Sequence, residues 1–254
     1  MARVHFGDLT TRELDAVARG ERVPVLLLPV GAVEPHGPHG PLSTDLLIAA
    51  GQCERVAVGL ADDPDVHVLV LPQIPYGVTR YASGFRGAVT VGEATLHAML
   101  LDVCTSLARD GFPRVVVVNH HFEPEHVATL RRVVTDLSAA GESLAVLLDL
   151  TRRRNAERLT DEFRRGSCHA GRYETSLVLA DRADLVDVER MRHLPAFEVD
   201  MPAAMGAGLT GFEAMGMRDA YCGAPAEATA REGEETFATL AMLLEETIRE
   251  LAAC

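Results

Sequence analysis

The chain of 254 residues lacks several features that would assign it to a specialised class of protein. It has no run of about 18 apolar residues, which a membrane-spanning helix requires, and its first residues form no hydrophobic stretch typical of a secretory signal. Repeats and low-complexity segments are also absent. We therefore expect a cytoplasmic protein that has no membrane partner.

The cysteine spacing and the charge argue against two further classes. The five cysteines, Cys53, Cys104, Cys168, Cys222 and Cys254, form no C-x-x-C motif. A disulfide framework or a thiolate zinc site is therefore not expected, and Cys168, beside His169, is the one candidate nucleophile. The net charge is −13, from 24 basic and 37 acidic residues, so we expect no nucleic-acid partner.

The most informative segment is residues 31–45, a loop rich in glycine and proline that carries imidazoles and carboxylates. It follows Val23 to Pro29, an apolar run that predicts a buried strand, and open α/β sheets bind ligands at such strand ends. Glu34 and His36 are two residues apart, so in an extended chain both can reach one cation. Asp45 is placed to bridge two cations. The alternative is a solvated loop in which Asp45 only caps the next helix.

A second cluster of potential ligands, residues 119–126, directly follows the β-branched run Arg114 to Val118. His121 and Glu123 repeat the two-residue spacing of the first loop. His120 and His121 point in opposite directions if the chain is extended, so we expect only His121 to face a metal.

A third cluster, residues 168–176, combines an imidazole and a carboxylate at the start of a predicted helix. Glu174 lies about one turn from His169, so the two side chains can share a face. Beside a metal, either could deliver a proton to a leaving nitrogen. The alternative is a capping imidazole and a glutamate in a salt bridge.

Predicted strands and amphipathic stretches alternate along the chain. Strands are expected near Val25 to Pro29, Val66 to Leu71, Arg114 to Val118 and Ser143 to Leu148, and helices near Asp45 to Leu60, Glu93 to Asp110, Glu125 to Ala140 and Thr229 to Ala252. At the start of the third helix we expect Glu125 to face the positive end of the dipole and His126 to be exposed. The pattern predicts one domain, residues 1–254, built as a three-layer α/β/α sandwich with a mostly parallel sheet.

Two methionine-containing segments have less definite interpretations. Residues 201–211 lack periodicity and form either a mobile flap over the site, an inter-subunit loop or a packed connection. Met215 and Met217 are expected in the core or in an interface.

Together the three clusters resemble the creatininase family of metal-dependent amidohydrolases. Family members carry a loop of the form G-x-x-E-x-H-G-P-H-L-P-x-x-T-D, then N-G-H-x-E after a later strand, then H-A-G-x-x-E-T-S. The residues in register are Glu34, His36, His39 and Asp45 in the first motif, Asn119, His121 and Glu123 in the second, and His169, Glu174 and Ser176 in the third. Their order and spacing agree over most of the chain.

The resemblance implies two divalent ions per subunit, Zn²⁺ and/or Mn²⁺, in an α/β/α fold that commonly assembles into homo-hexamers. By that resemblance, Glu34, Asp45 and His121 hold one ion and His36, Asp45 and Glu123 hold the other, with Glu174 as an alternative ligand. Glu123, His169 and Glu174 are the implied catalytic residues. His169 would stabilise the tetrahedral intermediate or protonate the departing nitrogen, after attack by a metal-activated water.

The sequence also departs from the family pattern. His120 replaces the glycine after the asparagine, Pro124 replaces a later asparagine, and the chain has no tryptophan, whereas creatininase is expected to close tryptophans over a small flat ring. We therefore expect an amidohydrolase for a small cyclic or linear amide. The alternatives are a peptide-trimming maturation hydrolase and a catalytically altered metal-binding relative. A dinuclear phosphoesterase would need Arg80, Arg86 or Arg172 near the metals.

Overall fold

The computed structural model describes residues 3–141 and 143–254. In this part of the chain, four strands form one parallel sheet in the order β2-β1-β3-β4. The strands are β1 (Val23–Val30), β2 (Val66–Val70), β3 (Val115–Asn119) and β4 (Val146–Leu148). The helices are α1 (Thr11–Ala18), α2 (Thr44–Gly59), α3 (Glu93–Arg109), α4 (Pro124–Ala140), α5 (Arg153–Ala156), α6 (Asp161–Arg164), α7 (Arg172–Arg182), α8 (Val188–Met191), α9 (Met201–Gly206) and α10 (Ala230–Ala252).

Alternating side chains of the central strands supply two separate hydrophobic cores. Val25 and Leu27 of β1 point to one face of the sheet, where α2, α7 and α10 pack. Leu26 and Leu28 point to the other face, which α3 and α4 cover. The predicted three-layer α/β/α architecture is therefore confirmed. β4 has only three residues and is shorter than the predicted strand.

The sheet order determines where the ligand-rich loops meet. β1 and β3 are direct neighbours in parallel register, and Val30 at the end of β1 pairs with Asn119 at the end of β3. Both strands therefore end at the same edge, and the segments that carry Glu34 and His121 leave the sheet side by side.

One sequence prediction about this edge is wrong. His126 is fully buried, not exposed. Its Nδ1 accepts a hydrogen bond from the Val78 N–H at 3.2 Å, and its Nε2 lies 3.0 Å from Asn119 Oδ1. The backbone at Gly77 packs against the ring so closely that a Cβ there would lie 2.6 Å from it. A segment remote in sequence thus covers the first turn of α4.

The methionine segments also have definite positions. Residues 201–206 form α9, whose Met201 and Met205 are half-buried against the pocket described below. Met215 and Met217 are buried in a small third cluster, which confirms their assignment to the core. None of the helices in the described residues combines the length and apolar composition needed to cross a bilayer.

Candidate metal centre

The loop after β1 folds back tightly onto the start of α2. A Cβ at Gly31 would lie 2.7 Å from the Cβ of Asp45, so glycine is needed for this approach. Gly37 adopts a φ of 68°, in the left-handed region that favours glycine, and its N–H donates to the Ala220 carbonyl. The turn brings Glu34, His36 and Asp45 together although the last two are separated by a full loop.

Asp45 lies between two imidazoles and presents a different oxygen to each. Its Oδ1 is 3.0 Å from His36 Nε2, and its Oδ2 is 3.2 Å from His121 Nδ1. The side chain is only 1% exposed, so bulk water does not separate these groups. One carboxylate therefore lies between imidazole nitrogens from two different segments.

Backbone carbonyls determine which nitrogen of each ring carries the proton. His36 Nδ1 lies 3.0 Å from the Glu34 carbonyl, and His121 Nε2 lies 2.8 Å from the Val78 carbonyl. Because a carbonyl oxygen only accepts, these nitrogens must donate, and in the neutral rings the nitrogens that face Asp45 are unprotonated. The unprotonated imidazole nitrogens then face the carboxylate oxygens of Asp45, so that hydrogen-bond acceptors face each other. Their spacing is close to the roughly 3.0–3.4 Å between neighbouring ligands of one zinc ion. The donor set fits divalent cations.

Among the residues that the structure describes, three groups of side chains have ligand atoms within 4.8 Å of one another. They are Glu34 with Asp45 and His121, His36 with Asp45 and Glu174, and Glu34 with His36 and His169. All six side chains are buried. Since the groups share members, the geometry favours one connected centre over separate sites.

Glu123 is held differently from the other predicted ligands. Its carboxylate accepts hydrogen bonds from the backbone N–H of Arg80, at 2.9 and 2.8 Å to its two oxygens, and from that of Tyr81 at 3.0 Å. It belongs to none of the three groups. Glu174, whose Oε2 is 3.6 Å from His36 Nε2, stands in the second group instead. The ligand role of Glu123 stays a prediction.

The electrostatics of the cluster favour added positive charge. Burial alone would lower the pKa of His36, but Asp45, Glu174 and Glu34 outweigh it and raise that pKa to about 9. Burial, reinforced by Asp45 and Glu34, raises the pKa of Glu174 to about 8 against the opposing effect of His36. The carboxylates thus supply more negative charge than the neutral imidazoles balance, which is the electrostatic environment of a cation site.

His169 differs from the two imidazoles beside Asp45. Its Nε2 donates to the Pro35 carbonyl at 3.0 Å, and its Nδ1 is 3.8 Å from Glu34 Oε1. Burial and the neighbouring His36 lower the pKa of His169 to about 4. At neutral pH the ring therefore presents an unprotonated nitrogen to the cluster.

The pocket beside the cluster has an apolar wall formed by Tyr81, Phe122, Met201, Met205 and Phe212. Cys168 also lines it, but burial raises the pKa of its thiol well above the ordinary value, which argues against a thiolate nucleophile. Within the described residues, no arginine or lysine contributes to the pocket lining. Arg80 pairs with Glu93 and Arg172 with Glu232, so the phosphoesterase interpretation loses its main support.

His120 is a pocket residue that the alternation argument missed. It is 1% exposed and lines the pocket beside His121. Its Nε2 lies 2.7 Å from Gln52 Oε1, and the Gln52 amide nitrogen donates to the Leu240 carbonyl at 2.8 Å. Only the replacement of the family glycine signalled an unusual role here.

The fold and the buried cluster define a class of α/β protein that binds metals at the carboxyl edge of a parallel sheet. The family profile described as Creatininase, creatinine amidohydrolase, matches residues 7–248. The chain belongs to the creatininase family.

Curated relatives of this chain include peptidases and a creatinine amidohydrolase by name. The mycofactocin precursor peptide peptidase of Mycolicibacterium smegmatis is 31% identical over 238 residues, which cover 92% of this chain and 86% of the relative. The creatinine amidohydrolase of Pseudomonas putida is 34% identical over 210 residues, which cover 76% and 78%. The chain is accordingly a hydrolase that acts on amide or peptide-like C–N bonds.

Solved structures of creatininases share the fold over nearly the whole chain. A manganese form is 26% identical, with a TM-score of 0.73, and the match covers 98% of both chains. A mutant of the Zn-Zn type is 27% identical, with a TM-score of 0.73 and the same coverage. Both metals that the sequence resemblance implied are thus found in structures of this family.

Proposed function

We propose that this protein is a dinuclear metal-dependent amidohydrolase that hydrolyses the C–N bond of a small cyclic or linear amide. The observation that carries the proposal is the position of Asp45, whose two oxygens face His36 and His121 separately. In this arrangement each oxygen of the carboxylate would be available to a different divalent ion.

The ligand set divides between two ions of zinc or manganese. Glu34, Asp45 and His121 would hold one ion, and His36 and Asp45 the other, together with Glu174 or Glu123. When bound, such ions lower the pKa of a coordinated water to about 7 and polarise a carbonyl oxygen.

The other residues move protons and position the substrate. The unprotonated Nδ1 of His169 is oriented to accept a proton from the attacking water and to pass it to the departing nitrogen. Its orientation is fixed by the hydrogen bond that its Nε2 donates to Pro35. Glu123 fixes the backbone at residues 80–81, and Tyr81 and Phe212 shield the reacting groups from water.

Peptide trimming is a second candidate for the reaction. It is supported by the relative named as a mycofactocin precursor peptide peptidase and by the absence of tryptophan from this chain. Under either candidate we infer a cytoplasmic location, as expected from the sequence, and a homo-oligomer, as the family resemblance implies.

The test is the metal content and turnover of Asp45→Asn beside a control, Asp136→Asn, which changes an aspartate that pairs with His97. We expect two ions per subunit by elemental analysis in the parent and the control, and hydrolysis of at least one member of a panel of lactams, hydantoins, formamides and short peptides. Asp45→Asn should lose metal and at least 10²-fold to 10³-fold in rate. Retention of both ions by Asp45→Asn would refute the bridging role. Metal loading without any turnover would favour the catalytically altered relative.

A further inference from the structure

The space beside the metal cluster is small compared with the cavities that usually hold a ligand. The cavity there measures about 40 Å³. A single water needs about 10–15 Å³ on this scale, so the cavity accommodates two ions and an attacking water but little more. Ligand-binding cavities usually measure roughly 300–1,000 Å³. The body of the substrate must therefore lie elsewhere, with only the scissile group at the cluster.

A larger cavity adjoins the first one and shares part of its wall. It measures about 450 Å³ and lies between the start of α4, the short helices α5 and α6, and α9. Phe122, Cys168, Met201 and Met205 line both cavities. This is the size expected of a ligand pocket, in direct contact with the candidate metal centre.

The shared wall contains side chains that can change rotamer easily. Met201 and Met205 are half-buried on α9, a helix of only six residues. Methionine is unbranched and flexible, so it adapts its shape to a neighbouring ligand at small energetic cost. The two cavities can therefore join without movement of the sheet or of the larger helices.

The lining of the larger cavity is mainly apolar. Val127, Phe163 and Ala156 face it together with the shared residues, and the rings of Phe122 and Phe163 make an edge contact at 5.4 Å between centroids. Arg131 and Arg164 also line it, but each is already paired, with Asp149 and Asp161 respectively. The chemistry favours an apolar group over an anion.

We propose that this cavity is a substrate subsite, and that the enzyme acts on amides that carry an extended apolar group next to the scissile bond. This rests on the proposed function, since it assumes that the scissile bond is cleaved at the metal cluster. It predicts that a compact polar ring uses only a small part of the available binding surface.

The experiment uses straight-chain hydroxamic acids, whose head group chelates metals, with the metal-loaded full-length protein. Binding of acetohydroxamic, butanohydroxamic, hexanohydroxamic and octanohydroxamic acids is measured by calorimetry, beside succinic acid monohydroxamate as an anionic probe. We expect each methylene that enters the cavity to tighten binding by up to about fourfold. Acetohydroxamic acid reports on the metal centre alone.

Variants test where the alkyl chain lies. Ala156→Leu fills the larger cavity and should abolish the increase in affinity with alkyl chain length. Ala98→Leu, on the exposed face of α3, should leave that increase unchanged. Thr151→Leu, at the exposed rim of the cavity, serves if Ala156→Leu does not fold.

The possible outcomes separate the two proposals. The subsite is refuted, while the proposed function stands, if acetohydroxamic acid binds but the longer chains bind no more tightly. It is also refuted if Ala156→Leu and Thr151→Leu both still bind the longer chains more tightly than the short one. If succinic acid monohydroxamate binds more tightly than the alkyl hydroxamic acids, the assignment of the cavity to an apolar group is wrong. If no hydroxamate binds to the metal-loaded protein, the metal centre itself fails and the subsite fails with it.

Discussion

Removal of the metals should make the stability of this protein depend on pH between about 6.5 and 9. In the metal-free protein only protons can neutralise the buried carboxylates, and the pKa of His36 is raised from 6.5 to about 9 by Asp45, Glu174 and Glu34, against the opposing effect of burial. A group whose pKa is raised on folding stabilises the folded state below its unfolded pKa. That contribution is lost as the pH rises through the folded value.

The size of this change in stability follows from the difference between the pKa of His36 in the folded and in the unfolded state. A pKa of about 9 against 6.5 corresponds to about 3 kcal/mol of unfolding free energy, present at pH 6.5 and largely lost above pH 9. Burial raises the pKa of Glu174 to about 8, which acts in the same direction because its folded form also binds the proton more tightly. Bound cations would replace these protons, so the metal-loaded protein should show a much smaller slope.

The assay is urea unfolding of chelated and metal-loaded protein at pH 6.5 and pH 9, with metal content checked at each pH. His36→Gln should reduce the slope of the chelated protein, whereas His97→Gln, at a solvent-exposed pair with Asp136, should not. Equal unfolding free energies for chelated protein at the two pH values would show that the cluster does not bind protons in place of metals.

Further predictions concern single side chains. Glu123→Gln places an amide N–H against the backbone N–H groups of Arg80 and Tyr81. We expect the free energy of unfolding, measured by chemical denaturation, to fall by about 1–3 kcal/mol and turnover to fall at least 10²-fold. Unchanged kinetics would contradict the positioning role. Cys168→Ala should retain turnover, and at pH 7 it should react with iodoacetamide to the same extent as the parent protein, because the Cys168 thiol is not ionised there. Loss of activity with both metals still bound would support Cys168 as the nucleophile. ¹⁵N NMR of His120 should show a protonated Nε2 and an unprotonated Nδ1, because Gln52 Oε1 accepts from the former; the opposite tautomer would overturn that assignment.

The layered fold was predictable because its signal is local. The β-branched and leucine-rich runs of β1 and β3 mark buried strands, and amphipathic stretches between them mark helices that cover both faces. The meeting of the ligand-rich loops followed from the same pattern, since parallel strands end at one edge. The spacing of Glu34, His36 and Asp45 then indicated the metal chemistry.

Contacts between segments remote in sequence could not be predicted. The ligand role of Glu123 stays a prediction, but the hydrogen bonds that its carboxylate accepts from backbone donors more than forty residues earlier in the chain were not foreseen. His126 was expected to be exposed at the start of its helix, but the backbone at Gly77 covers it. His120 lines the pocket, and Gln52 of α2 accepts a hydrogen bond from its Nε2. In each case the deciding partner comes from another element.

The imidazoles of the centre are oriented by main-chain carbonyls, those of Glu34, Pro35 and Val78. Because these supports are not side chains, substitutions at the positions that supply them leave the hydrogen bonds in place as long as the backbone keeps its course. The apolar wall, by contrast, is formed by side chains such as those of Met201 and Met205. A substitution of a wall side chain can therefore change which substrates fit the pocket while the hydrogen bonds that orient the imidazoles stay in place.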